Sequence, residues 1–328
     1  MNTPINYSPL QSLRFAKFSL LLEATEDLHL PEYKGSTLRG GFGNALKKAV
    51  CMTKTFDCPP CLLKQTCHYI SIFEPKVSKT VAVLLRIGRD APHPFVLEPP
   101  LTEQHEFKKD GQFTAGLVLI GKAIDLLPSM IYAFTVFGER VGLGRSRGKF
   151  AVCQVTDAEG NKVYDGKTQT LKDSCRIFTF QEFSDLPHTS PRLALNFVTA
   201  TRIMTSYANR SRHLVRLREA DDFWTLLETL YHRLVTLSSL YCGSGILDYS
   251  QHRLPLKSTP LSLVESSIRW QDWERYSNRQ NTQMKLGGFV GRATFEGEFE
   301  SFLPLLRIGE HLHVGKNTSF GLGQYELT

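Results

Sequence analysis

Hydrophobic positions recur along this chain at two spacings. Residues 13–22, Leu-Arg-Phe-Ala-Lys-Phe-Ser-Leu-Leu-Leu, read as a strand. Ser36 is placed to cap a helix whose apolar face is Leu38, Phe42, Ala45, Leu46 and Ala49. Further on, Phe113 to Ile120 reads as a strand, Lys122 to Phe137 as a largely apolar helix and Lys149 to Val155 as a closing strand. One more strand is expected near 80–88 or 94–98, and periodicity does not choose between them. The order strand, helix, strand, strand, helix, strand is the ferredoxin-like, or RRM-like, arrangement.

The pattern restarts after Pro191. Arg192 to Thr201 alternates as a strand does, and Ala220, Phe223, Trp224, Leu227, Tyr231 and Leu234 mark one face of a helix from about Glu219 to Leu240. Strands are expected over Ser262 to Trp270, Leu286 to Phe295 and Gln324 to Leu327, with a short helix over Phe299 to Leu306. Each half carries a glycine-rich segment before its last strand, 138–148 and 309–323. The expectation is an α+β protein of tandem ferredoxin-like domains, 1–156 and 191–328, joined by a linker at 157–190.

Lys and Arg outnumber Asp and Glu by 39 to 32, a net charge of +7 that favours polyanionic partners. Met1 to Gln11 lacks the basic-then-apolar pattern of a signal peptide, and no apolar run reaches membrane-spanning length, so a cytoplasmic protein without membrane contact is expected. Gly-Leu-Gly-Arg-Ser-Arg-Gly at 142–148 lacks the Lys-Ser/Thr ending of a nucleotide-binding phosphate loop, and no paired carboxylates point to a magnesium nuclease.

The last residues carry the densest chemistry. His311 and His313 stand two apart on what reads as a strand, which would put both imidazoles on one face before Lys316 and Gly315, Asn317, Gly321 and Gly323. Such a loop can bring backbone N–H groups to a phosphate while Lys316 adds a point charge. Arg145 and Arg147 occupy the corresponding first loop. Arg210, Arg212, Arg216 and Arg218 cluster in one run, and Arg269, Trp270, Trp273, Arg275, Tyr276 and Arg279 interleave charge with stacking faces, as RNA-binding surfaces do.

Four of the seven cysteines, Cys51, Cys58, Cys61 and Cys67, fall close together, with Pro59-Pro60 forming a knuckle between two of them. That set suits a closed, structural four-thiolate site; zinc is the default ion, and a four-iron four-sulfur cluster has the same ligand requirement. Reduced surface thiols are the alternative.

Gly-Glu-His-Leu-His-Val-Gly-Lys-Asn-Thr-Ser-Phe-Gly-Leu-Gly at 309–323 resembles the C-terminal signature of the RAMP superfamily, and more narrowly of the CRISPR precursor-RNA processing endoribonucleases. Supporting stretches are 34–43, 273–280, 287–291 and the cysteine loop. The resemblance implies metal-independent cleavage of CRISPR repeat RNA leaving a 2′,3′-cyclic phosphate and a 5′-hydroxyl, with no cofactor in the reaction and with Cas effector subunits as further partners. The catalytic set expected from the spacing at the end of the chain is His311, His313 and Lys316. Many relatives place a catalytic histidine on or after the first helix, but none occurs between Ser36 and Val50 here, which keeps His68, His93 and His252 in view. A non-catalytic RNA-binding RAMP subunit is the competing expectation.

Overall fold

The computed structural model describes residues 5–184, 190–206, 212–254, 260–272, 274–277 and 282–328. It contains two compact units, Arg14–Phe178 and a second made of Met1–Leu13 with Thr179–Thr328.

In the first unit, β1 (Arg14–Ala24), α1 (Gly35–Val50), β2 (Phe95–Glu98), β3 (Gln112–Ile120), α2 (Leu127–Val136) and β4 (Phe150–Asp157) follow in chain order. Their strands form an antiparallel sheet in the order β2-β3-β1-β4, with Phe18 opposite Leu117. This is the expected ferredoxin-like topology. Ala16, Phe18, Leu20 and Leu22, at the period of a strand, are buried with Leu38, Phe42, Ala45 and Leu46 at the period of a helix. Phe42 meets Phe134 of α2 at 4.6 Å between ring centroids. The strand left open between two positions is Phe95–Glu98, whereas Lys79–Leu84 is a helix capped by Ser78, whose Oγ accepts from Val81 N–H at 3.2 Å. Ser36 is not the cap of α1, because the helix already starts at Gly35 and Leu38 N–H donates to Lys34 O at 2.9 Å.

The stretch expected as a linker is largely structured. β5 (Lys162–Asp165) and β6 (Thr170–Leu171) continue the first sheet beyond β4. Asp157, 5% exposed, makes this turn: its carboxylate accepts from the N–H groups of Glu159, Asn161 and Arg176 at 3.0, 2.9 and 3.0 Å.

The second unit repeats the topology with β7 (Arg192–Thr201), α3 (Ala220–Tyr241), β8 (Leu261–Ser266), β9 (Gly288–Gly297), α4 (Leu303–Leu312) and β10 (Tyr325–Leu327), in the sheet order β8-β9-β7-β10. The core brings Phe223 of α3 to Phe295 of β9 at 4.7 Å. Helix α4 runs past its expected end at Leu306, taking His311 into its last turn. Gly309 lies inside the helix, where a Cβ would sit 2.1 Å from the Tyr325 hydroxyl, which donates to Leu306 O at 2.6 Å, so close packing on Tyr325 requires glycine there. Two short hairpins, Met204–Ser206 with Arg212–Leu214 and Glu274–Ser277 with Thr282–Lys285, stand off this sheet.

Candidate nucleic-acid interface

The glycine-rich segment of the second unit is a tightly bonded turn. Val314 N–H donates to Gly323 O at 2.9 Å, Lys316 N–H to Arg202 O at 2.9 Å, Gly323 N–H to Ala200 O at 3.2 Å and Thr199 Oγ1 to Gly321 O at 2.8 Å. A Cβ on Gly315 would lie 2.5 Å from Arg202 O, and one on Gly323 would lie 1.9 Å from Val314 O. Both residues have positive φ, +88 and +77. The expected reason for these glycines is therefore corrected: they let the loop close on its own backbone, and several N–H groups expected to meet a phosphate already have protein acceptors.

His313 is a second correction. It lies at the C-cap of α4 with φ 61, is 0% exposed, and its Nδ1 sits 3.1 Å from Leu322 O. An imidazole sealed this way ties the two ends of the loop together and does not reach a substrate. His311 shares no strand face with it, since both belong to a helix end; its half-buried ring stands edge-on to Phe183 at 5.8 Å. The half-buried Arg233 side chain donates to Leu312 O at 3.0 Å and to His313 O at 3.2 Å, neutralising the carbonyl end of α4; burial brings its pKa down to about 10, so it stays charged at neutral pH.

What the loop leaves outside is Lys316, exposed, with Asn317 half-buried in the left-handed region at φ 62. From Lys316 a backbone path runs through Arg202 to Ile203, whose carbonyl accepts from Val215 N–H at 3.1 Å. The next residue, exposed Arg216, places its guanidinium 5.4 Å from the centre of the Trp270 ring. Trp270 Nε1 donates to Asp272 at 2.8 Å, which fixes the indole. Two basic runs that are far apart in the sequence thus meet on one surface, a cation above a stacking face. Arg210 and Arg279 lie outside the described residues, while Arg212 and Arg275 belong to the two hairpins.

In the first unit, Arg145 and Arg147 are exposed at the tip of their glycine loop, with Arg147 at φ 53, and the loop is closed by Leu143 N–H donating to Gly148 O at 2.8 Å. Helix α1 and Lys34 at its N-cap contribute side chains for which the sequence suggested no role. Lys34 is 3% exposed and its Nζ donates to Thr102 O at 2.7 Å; burial lowers its pKa, opposed by the charge of Glu32. Arg39 lies 4.3 Å from the Phe73 ring centre and its Nη2 is 2.8 Å from His93 Nε2. A guanidinium can only donate, so in that contact Nε2 is the unprotonated nitrogen. The same Nε2 is 3.1 Å from Phe73 O, a contact that needs a proton on it. The two contacts call for opposite roles of Nε2, acceptor toward Arg39 and donor toward Phe73 O, and the Arg39–His93 pairing joins residues 54 apart in the chain.

His68 is exposed at the start of the helix His68–Phe73, and His252 is half-buried after the turn Tyr249–Gln251. Cys51, Cys58, Cys61 and Cys67 line one cavity.

The profile of the CRISPR-associated endoribonuclease Cas6 family matches residues 195–325, and a second profile, described as an N-terminal domain, matches residues 13–175. A protein of Archaeoglobus fulgidus described as uncharacterized is 27% identical over 303 residues, 91% of this chain and 93% of its own. A Cas6 product complex from Thermus thermophilus aligns over 96% of this chain and 99% of that one, with TM-score 0.53 and 15% identity. A partial Cas6-RT-Cas1–Cas2 complex aligns over 96% of this chain and 46% of that one, with TM-score 0.55 and 12% identity, so this chain spans about half its length. The structural likenesses establish the shared double ferredoxin-like fold. Residues 195–325 thus carry the domain that the Cas6 family profile defines, within a chain whose fold is that of the solved Cas6 structures.

Proposed function

We propose that this chain binds the repeat of CRISPR precursor RNA and cuts it by attack of a ribose 2′-hydroxyl on the adjoining phosphate, leaving a 2′,3′-cyclic phosphate and a 5′-hydroxyl. The observation that carries the reading is the Cas6 domain at 195–325, whose family is described as an endoribonuclease. A related Cas6 structure holding its product, and Cas6 joined to Cas1 and Cas2 in another, support repeat RNA and Cas proteins as partners.

The reaction needs a proton acceptor for the 2′-hydroxyl, positive charge for the phosphorane and a proton donor for the departing 5′-oxygen. His93 with Arg39 supports the proton-transfer role, because its Nε2 has an acceptor contact and a donor contact within reach. Lys34 adds cationic charge on the same helix start. Lys316, Arg216 and Trp270 suit backbone contact and base stacking.

The test is incubation of the full chain with end-labelled repeat RNA in EDTA. A single cut with a cyclic-phosphate end is expected, abolished by a deoxy substitution at the cut and slowed about 10²–10⁴-fold by His93→Ala. Lys316→Ala is expected to weaken binding and lower the salt slope by about 1. Tight binding without any cut would make the chain a scaffold subunit; full activity in His93→Ala with loss in His311→Ala would move the base to the end of α4.

A further inference from the structure

Residues 51–68 contain no helix or strand apart from the first residue of the helix His68–Phe73, only turns and bends. Within this stretch the four cysteines are half-buried and all the other residues are exposed. Even its large apolar side chains point outward: Met52 is 82% exposed, Leu62 97% and Phe56 43%. A loop of this length without a core of its own has nothing to offset the backbone entropy of holding one shape. The inward residues are the thiols, which line one cavity together with Tyr69 and Tyr132.

The backbone is already bent around them. Cys61 N–H donates to Cys58 O at 3.3 Å, the knuckle of the Cys-Pro-Pro-Cys turn, and Cys67 O accepts from Ser71 N–H at 3.0 Å at the start of the following helix. Lys54 and Phe56 both hold φ 55, a region costly to side chains larger than glycine. Thr53 Oγ1 lies 3.7 Å from the sulfur of Cys51.

We propose that Cys51, Cys58, Cys61 and Cys67 bind one thiophilic metal centre, a zinc ion or a four-iron four-sulfur cluster, which organises the loop on the first unit and takes no part in RNA cleavage. Binding releases the four thiol protons and leaves a closed set of four thiolates, with no position for substrate. Among the described residues no three such side chains yet stand close enough to share an ion, so the loop draws inward as the centre binds, which its exposed and coreless structure permits. The cavity of about 340 Å³ accommodates either centre, so composition must separate them.

The experiment is elemental and sulfide analysis of the full-length protein, purified without oxygen and, in parallel, reconstituted with Zn²⁺ or with iron and sulfide. One zinc in a colourless protein identifies the ion; iron with acid-labile sulfide and visible charge-transfer absorption identifies the cluster. Cys58→Ser and Cys61→Ser are expected to lose the metal, while Cys242→Ser keeps it. A mercurial titrated against the folded wild-type protein should release all of the metal by four equivalents, a reading that does not depend on any variant folding. Trypsin should cut near Lys54 and Lys64 only after release. A protein that holds neither centre after both reconstitutions, or that keeps its metal in both serine variants, overturns the proposal.

Discussion

At Gly323 the left-handed φ of +77 and the carbonyl of Val314, 1.9 Å from where a Cβ would sit, act together. Gly323→Ala is expected to destabilise the second unit by about 2–4 kcal/mol, because strain at a positive φ adds to a clash with backbone that cannot rotate away. Chemical unfolding followed by tryptophan fluorescence measures it, and a change below about 0.5 kcal/mol would show that the loop yields. His313 belongs to the same arrangement: its imidazole closes on Leu322 O and its carbonyl accepts from Arg233. His313→Ala should lower stability by about 1–3 kcal/mol by leaving the buried Leu322 carbonyl without its imidazole donor, while cleavage per folded molecule holds. Loss of cleavage in a fully folded variant would return this histidine to the catalytic set. No sequence pattern separated His311 from His313; the burial of one and the half-exposure of the other come from where α4 ends.

Among the elements, the turn after β4 tests how the first unit is tied up at its edge. Three backbone N–H groups and the Asn161 amide converge on Asp157, and although burial raises its pKa, these donors lower it overall. A depressed carboxylate contributes stability that is present above its unfolded pKa of about 3.9 and is lost as pH falls through the folded value. Asp157→Ala should therefore cost about 1–3 kcal/mol at neutral pH and less in acid, with faster amide exchange over 158–176. An equal loss at both pH values would mean that the side chain's shape matters and its charge does not. This segment looked like a linker because polar residues dominate it, whereas its order comes from hydrogen bonds to a single carboxylate, a contact periodicity does not register.

For the molecule as a whole, burial pushes the phenols of Tyr7, Tyr33, Tyr241 and Tyr325 well above the usual tyrosine value, and that of Tyr231 to about 12. A raised folded pKa gives stability that is full below the unfolded value of about 10 and disappears as pH climbs through the folded ones. Both units should then unfold cooperatively above about pH 10, with phenolate absorbance from these side chains appearing together with loss of secondary structure. Phenolate formation at all of them in a still-folded protein would refute this.

The alternation of residues 13–22 and 192–201, the helical face from Phe223 to Leu234 and the spacing of the cysteines were legible in the chain itself, because they depend on local geometry that every residue carries with it. They were enough for two ferredoxin-like units and for a family resemblance. Tertiary structure alone decided that Arg39 meets His93, that Arg216 covers Trp270, that His313 is sealed and that the glycines serve backbone packing. Those outcomes depend on which donor finds which acceptor across long stretches of chain, and hydrophobic periodicity records only which side of an element faces inward.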